Sequence, residues 1–98
     1  LTCYPNPTTD IVHFVYEHNR PDELLELTAN IYDLNGKLLW TSTKSVPSQN
    51  SRTEPIVWNL KDDNGHRVRA GIYLMRMLVG TVDGQKATNT VKIIVNGQ

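Results

Sequence analysis

Three histidines (His13, His18 and His66), one cysteine (Cys3) and the run Asp62-Asp63-Asn64 are the side chains suited to acid–base, thiol or metal chemistry. Catalysis requires groups that converge, such as a nucleophile beside a base that a third group orients. No Gly-x-Ser-x-Gly elbow, His-Glu-x-x-His helix or phosphate-cradling loop occurs. His13 falls on the outward register of a strand, and His18 and His66 fall at strand ends or turns, so all three are expected to be solvated. A single cysteine forms no internal disulfide and no multi-cysteine zinc site. Cys3, beside Tyr4, is read as a small buried hydrophobe, because a catalytic thiol needs a histidine partner and a lowered pKa. Asp62-Asp63-Asn64 offers oxygen ligands for calcium. An EF-hand loop needs alternating ligands and a distal Glu, which are missing, so a turn with Asp side chains bonded to nearby N–H groups is preferred. No enzyme activity, metal or cofactor is expected.

The tryptophans carry the other reading that involves a ligand. Trp58 as an exposed platform would suit a carbohydrate-binding module. It lies between Ile56 and Leu60 on one register, however, which makes it a core residue. A sugar site would need an exposed aromatic pair, such as Trp40 with Tyr16 or Tyr32. Met75 and Met77 are read as core beside Trp58.

The elements that hold these residues are strands. Val12, Phe14 and Tyr16 alternate with His13 and Val15. Leu25, Leu27, Ala29 and Ile31 alternate with Glu26, Thr28 and Asn30, and Ile56, Trp58 and Leu60 with Val57 and Asn59. Tyr73, Met75, Met77 and Val79 share one face, with Ile72, Leu74, Arg76 and Leu78 on the other, and a last run covers Thr90 to Val95. These period-2 segments predict strands. Asp33-Leu34-Asn35-Gly36 and Asp62-Asp63-Asn64-Gly65 end in Asn-Gly, and Asp83-Gly84 is a third turn signal. Each Asn-Gly is expected to introduce a strand, beginning Gly36-Lys37 and Gly65-His66. Arg20 to Glu23 and Ser45 to Glu54 are expected as loops. About seven strands at spacings of roughly 8–12 residues predict an all-β, immunoglobulin-like sandwich of antiparallel strands in two sheets.

Ninety-eight residues suffice for one two-layer core, so residues 1–98 are read as one domain. Ten basic residues balance ten acidic ones. That argues against nucleic acid and anionic lipid, which both demand an excess of cations. No run reaches the ~20 apolar residues of a membrane helix. The chain opens on Leu1, and we expect a domain cut from a longer protein and monomeric in isolation.

Several blocks stand in a suggestive order: Tyr4-Pro5-Asn6-Pro7, then Ile31-Tyr32-Asp33-Leu34-Asn35-Gly36-Lys37-Leu38, then Trp58-Asn59-Leu60-Lys61-Asp62-Asp63-Asn64-Gly65, then Ala70-Gly71-Ile72-Tyr73-Leu74, and finally Lys92-Ile93-Ile94-Val95. From Tyr4 to Val95 the set resembles the C-terminal sorting domain of the type IX secretion system of Bacteroidetes. The middle blocks also resemble the related immunoglobulin-like domain of flagellar hook-capping proteins. In physical terms, Pro5, Asn6 and Pro7 stiffen the lead-in to the sandwich, Gly36 and Gly65 take positive-φ turn positions, Gly71 swings the chain into its strand, and Tyr73 buries its ring while its hydroxyl reaches backbone.

The resemblance implies a domain recognised by protein components of the outer-membrane secretion and sortase machinery. A sortase usually removes it, so it is substrate rather than catalyst. The parent passes the periplasm to the outer membrane, cell surface or extracellular space. Lys92, Ile93, Ile94 and Val95 are the expected recognition strand, its free edge pairing with a partner and its side chains adding choice. The stretch from Glu17 to Pro21 and the long Ser45–Glu54 loop look more like the domain that the sortase itself retains. Two other readings stay open at this level: a structural spacer beside a catalytic or adhesive domain, and the carbohydrate-binding module.

Overall fold

A computed structural model describes residues 1–17, 24–47, 56–81 and 83–96. These residues form seven strands: β1 (Thr2–Tyr4), β2 (Val12–Val15), β3 (Leu24–Tyr32), β4 (Leu38–Pro47), β5 (Ile56–Trp58), β6 (Gly71–Thr81) and β7 (Lys86–Val95). All pairings between strands are antiparallel, giving a small sheet in the order β1-β2-β5 and a longer one in the order β4-β3-β6-β7. That strand order is immunoglobulin-like, and the expected all-β sandwich is the fold found.

Alternation built the layers. Leu25, Leu27, Ala29 and Ile31 of β3, Tyr73, Met75, Met77 and Val79 of β6, and Ile93 and Val95 of β7 are buried. Val12 and Phe14 of β2 and Ile56 and Trp58 of β5 meet them from the small sheet in one core. Burying a large apolar side chain in this way contributes about 1.5–3 kcal/mol. Trp58 is fully buried, its Nε1 donating to the Lys61 carbonyl at 2.9 Å. The Tyr73 ring meets it edge-on at 6.1 Å. The Tyr73 hydroxyl donates to the Arg69 carbonyl at 2.6 Å, the tyrosine-corner arrangement of immunoglobulin-like domains. Burial raises the pKa of this phenol above its ordinary value, with the Asp33 charge adding to the effect.

The two Asp-x-Asn-Gly turns are built alike. Asp33 Oδ1 accepts the N–H groups of Asn35 and Lys37, both at 2.9 Å, and Asp62 Oδ1 accepts those of Asn64 and His66 at the same distances. Gly36 and Gly65 stand at φ 85° and 83°, the left-handed region that a Cβ disfavours. The first turn joins β3 to β4. The second corrects an expectation, because no strand follows Gly65. A single bridge, Lys61 to Arg67, closes a short hairpin instead.

Three boundaries also differ from expectation. β4 continues through Ser45 to Pro47, where a loop was predicted. β7 begins at Lys86, before the expected Thr90. β5 ends at Trp58, and Leu60 holds φ at 64°. A left-handed backbone costs a non-glycine residue roughly 1–2 kcal/mol. At Leu60 that cost is offset by complete burial of the side chain and by the Val68 N–H bonding its carbonyl at 2.8 Å. Of the expected connections, His18 to Glu23 and Ser48 to Glu54 lie outside the described residues.

Candidate recognition site

β7 is an outer strand of the large sheet, paired on one side with β6. Its last residues separate into two sets. Ile93 and Val95 are buried in the core, while Lys92 is exposed and Ile94 half-buried on the opposite face. Lys92 ends a cross-strand row of Leu38, Tyr32 and Leu74, and the next pair is Ile94 with Ile72. Leu38 and Ile72 are exposed, so an apolar band bounded by one cation lies on the open face of the large sheet. Beside it is a shallow depression lined by Tyr32, Asp33, Leu74, Arg76, Thr88 and Thr90.

The sequence predicted unpaired main-chain groups along the edge of Lys92–Val95. At this end of β7 the edge is occupied. Asn6 Nδ2 donates to the Lys92 carbonyl at 2.8 Å, and Asn6 Oδ1 accepts the Ile94 N–H at 2.9 Å. The Thr8 N–H donates to the Ile94 carbonyl at 2.9 Å, and the Asn96 N–H donates to the Thr8 carbonyl at 2.8 Å. The primary amide of Asn6 thus stands in for the peptide group of a neighbouring strand. Thr8 is itself fixed: it is buried, its hydroxyl donates to the Ile11 carbonyl, and Asp10 N–H donates back to it. Arg67 Nη2 adds a bond to the Thr9 carbonyl at 2.7 Å. Pro5 and Pro7 form cis peptide bonds with Tyr4 and Asn6. The Pro5-Asn6-Pro7 block therefore does more than stiffen the lead-in, and Thr8 was not foreseen at all.

The other candidates stay apart. Cys3 is half-buried against the core, with Asn6 Nδ2 3.5 Å from its sulfur. His13 points away from the core as expected but is only half-exposed, not fully solvated. Its ring stacks on Tyr4 at 5.0 Å, 6° from parallel, because β1 pairs Tyr4 directly with it. This leaves its Nδ1 buried with no hydrogen-bond partner. His66 is exposed in the second turn. Asp62 Oδ1 is taken by two backbone N–H groups. The His66 N–H bond is the main cause that holds the carboxyl below its ordinary pKa, ahead of that from Asn64. Among the described residues no group of three or more His, Cys, Asp or Glu is placed to hold a metal ion. Trp40 leans on Trp58 at 6.2 Å, on the face opposite Tyr32, so those two form no exposed sugar platform. Among the described residues no helix is long and apolar enough to cross a membrane.

Comparison with known proteins agrees with the geometry. The family described as secretion system C-terminal sorting domain matches residues 2–96. The crystal structure of dimeric latent PorU from Porphyromonas gingivalis contains a similar region at 31% identity and a TM-score of 0.82. The similarity covers 99% of this chain and 9% of that one. No curated protein sequence matches the chain.

Proposed function

The chain belongs to the secretion system C-terminal sorting domain family, and we propose that it is read through the open face of Lys92 and Ile94 by protein components of the outer-membrane secretion and sortase machinery. As a type IX sorting domain it directs its parent through the periplasm to the outer membrane, cell surface or extracellular space. Its part in that process is to be bound, not to catalyse. One observation carries the choice of residues. Of the four terminal-strand positions, Ile93 and Val95 are buried and the nearby edge is held by Asn6 and Thr8, which leaves Lys92 and Ile94 accessible to a partner.

Deleting Lys92 to Gln98 is a poor test, because it takes Ile93 and Val95 out of the core. The better one fuses the domain to a reporter in a type IX-competent host and compares Lys92→Glu and Ile94→Thr with the parent sequence. Near-ultraviolet circular dichroism reports folding. Retained folding with loss of surface reporter is the expected result, and surface delivery of both folded variants at the parental level refutes the reading.

A second reading concerns fate rather than role. PorU matches over only 9% of its own length, which supports a domain carried, and here retained, on a much larger chain. The whole of residues 1–98 then acts as one docking domain of that larger protein. The reporter fusion also decides this, since a retained domain migrates with the reporter as one band after export.

A further inference from the structure

The outer edge of β7 changes character along its length. Peptide groups in an antiparallel strand point alternately to the two sides, and those of Ile94 point outward, to Asn6 and Thr8. Counting back by two, those of Lys92, Thr90, Thr88 and Lys86 point outward as well. These four stand opposite Leu74, Arg76, Leu78 and Gly80 of β6. The Lys92 carbonyl is held by Asn6. Among the described residues, the Lys92 N–H and both main-chain groups of Thr90 and Thr88 have no hydrogen-bond partner on that side. Lys86 to Thr90 are exposed on both faces of the sheet, although Met77 and Val79, their inward neighbours on β6, are buried. Among the described residues, none is hydrogen-bonded along the outer side of this stretch, which leaves it open to an added strand.

The charges here have one sign at both ends. Lys86 and Lys92 bracket the open edge, and Arg76 projects on the same outer face from β6, opposite Thr90. Two acids face this region: Glu26 of β3, in the row of Gly80 and Lys86, and Asp33, which lines the depression with Arg76, Thr88 and Thr90. None of the three cations forms an ion pair with a described residue.

We propose that the edge of β7 from Lys86 to Lys92 receives an extended peptide strand of a partner protein that carries carboxylate side chains at both ends of a seven-residue stretch. Main-chain bonds to Thr88, Thr90 and the Lys92 N–H provide attachment, and the two lysines select the acidic strand. A second copy of this chain is the wrong occupant. Antiparallel self-pairing over this stretch centres on Asn89 and places Lys86 directly across from Lys92 of the partner subunit, twice. Like charges directly opposite one another destabilise a sheet. The proposal rests on the domain being a docking module, but not on which face the secretion machinery reads.

The test is titration of the nitrogen-15-labelled chain with the capped peptide Glu-Val-Thr-Val-Thr-Val-Glu at low ionic strength. The control peptide has lysine in place of both glutamates. The expected result is amide shifts at Thr88, Thr90 and Lys92 with the acidic peptide, and binding at least ~10-fold weaker for the lysine peptide, since like-charge contacts are strongly discriminated at interfaces. Thr90→Pro deletes an outward N–H and no bond of the β6 ladder, and proline is tolerated on sheet edges, so this variant should fold and lose the shifts. Lys86→Glu should narrow or reverse the preference between peptides, and serves if Thr90→Pro fails to fold. Equal binding of the two peptides, shifts confined to other residues, no shifts at millimolar peptide, or concentration-dependent dimerisation of the peptide-free chain in sedimentation each overturn the proposal. The readout is a peptide contact of the chain itself, so it stands or falls independently of the export assay.

Discussion

Asn6→Ala removes one donor and one acceptor from the end of β7 and leaves two main-chain groups, the Lys92 carbonyl and the Ile94 N–H, without their side-chain partner. A typical hydrogen bond contributes a net ~0.5–1.5 kcal/mol. Asn6 is exposed, so water replaces part of what is lost, and the expected cost is about 1–2 kcal/mol for the two bonds. In a domain of this size each kcal/mol lowers Tm by roughly 4–8 °C, within reach of urea or thermal unfolding. Amide exchange locates the effect. The Ile94 N–H should exchange faster in the variant, while those of Thr8 and Asn96, which bond main chain rather than Asn6, should keep their protection. Asn6→Asp is a finer probe: its carboxylate still accepts the Ile94 N–H but sets a second acceptor against the Lys92 carbonyl. Protonation restores a donor, so the variant's folded-state carboxyl pKa is raised. The recovered stability is present below the ordinary carboxylate pKa and is lost as pH rises through the folded value. Unchanged Ile94 exchange together with an unchanged urea midpoint in Asn6→Ala would refute the assignment of Asn6 as the tie to β7.

Two further outcomes follow from the core. Trp58→Ala should destabilise by about 3–5 kcal/mol, as truncation of a buried aromatic does, measured by urea unfolding followed by circular dichroism; a loss below half that range would contradict the full burial of Trp58. Tyr73→Phe should cost about 1 kcal/mol by losing the bond to the Arg69 carbonyl. Because burial raises the Tyr73 pKa above the ordinary value of a tyrosine, its contribution is complete below the unfolded pKa and is lost as pH rises through the folded one. The urea midpoint of the parent should therefore fall more steeply at alkaline pH than that of Tyr73→Phe, and parallel curves would count against it.

The sequence was legible wherever the opposite sheet covers one face of a strand. In β3 and β6 one face is core and the other open, so apolar and polar residues alternate, and Leu25 to Ile31 and Tyr73 to Val79 could be assigned without a structure. β4 was harder to read because it is an outer strand. Thr41, Thr43 and Ser45 are exposed and Ser42 is only half-buried, so no apolar contrast marks the pleat. The first half of β7 hid its strand for the same reason, lying exposed on both faces. Leu60 kept the alternation of Ile56 and Trp58 but left the strand, since side-chain burial does not report a backbone φ. The site was legible in part. Lys92 to Val95 could be recognised as a strand, but the hold of Asn6 on it joins residues 86 and 88 positions apart, and no local pattern encodes such a pair. An Asn between two prolines reads as a turn residue, and its amide facing a strand emerges only when the two ends of the fold meet.

The bridge between Thr8 and Val95 is parallel, and its orientation matters when the molecule is pulled. A load applied through the chain before Thr8 and opposed through the chain after Val95 drives these two segments past each other along their length. The bonds from Thr8 to Ile94 and from Asn96 to Thr8, and the two made by Asn6, then lie across the direction of force and share it. Segments loaded in this way must slip together, whereas a hairpin pulled at its open end unzips one bond at a time. Loaded between those two ends, the domain would thus hold its shape until the four bonds give way together, with Asn6 acting as a mechanical rivet.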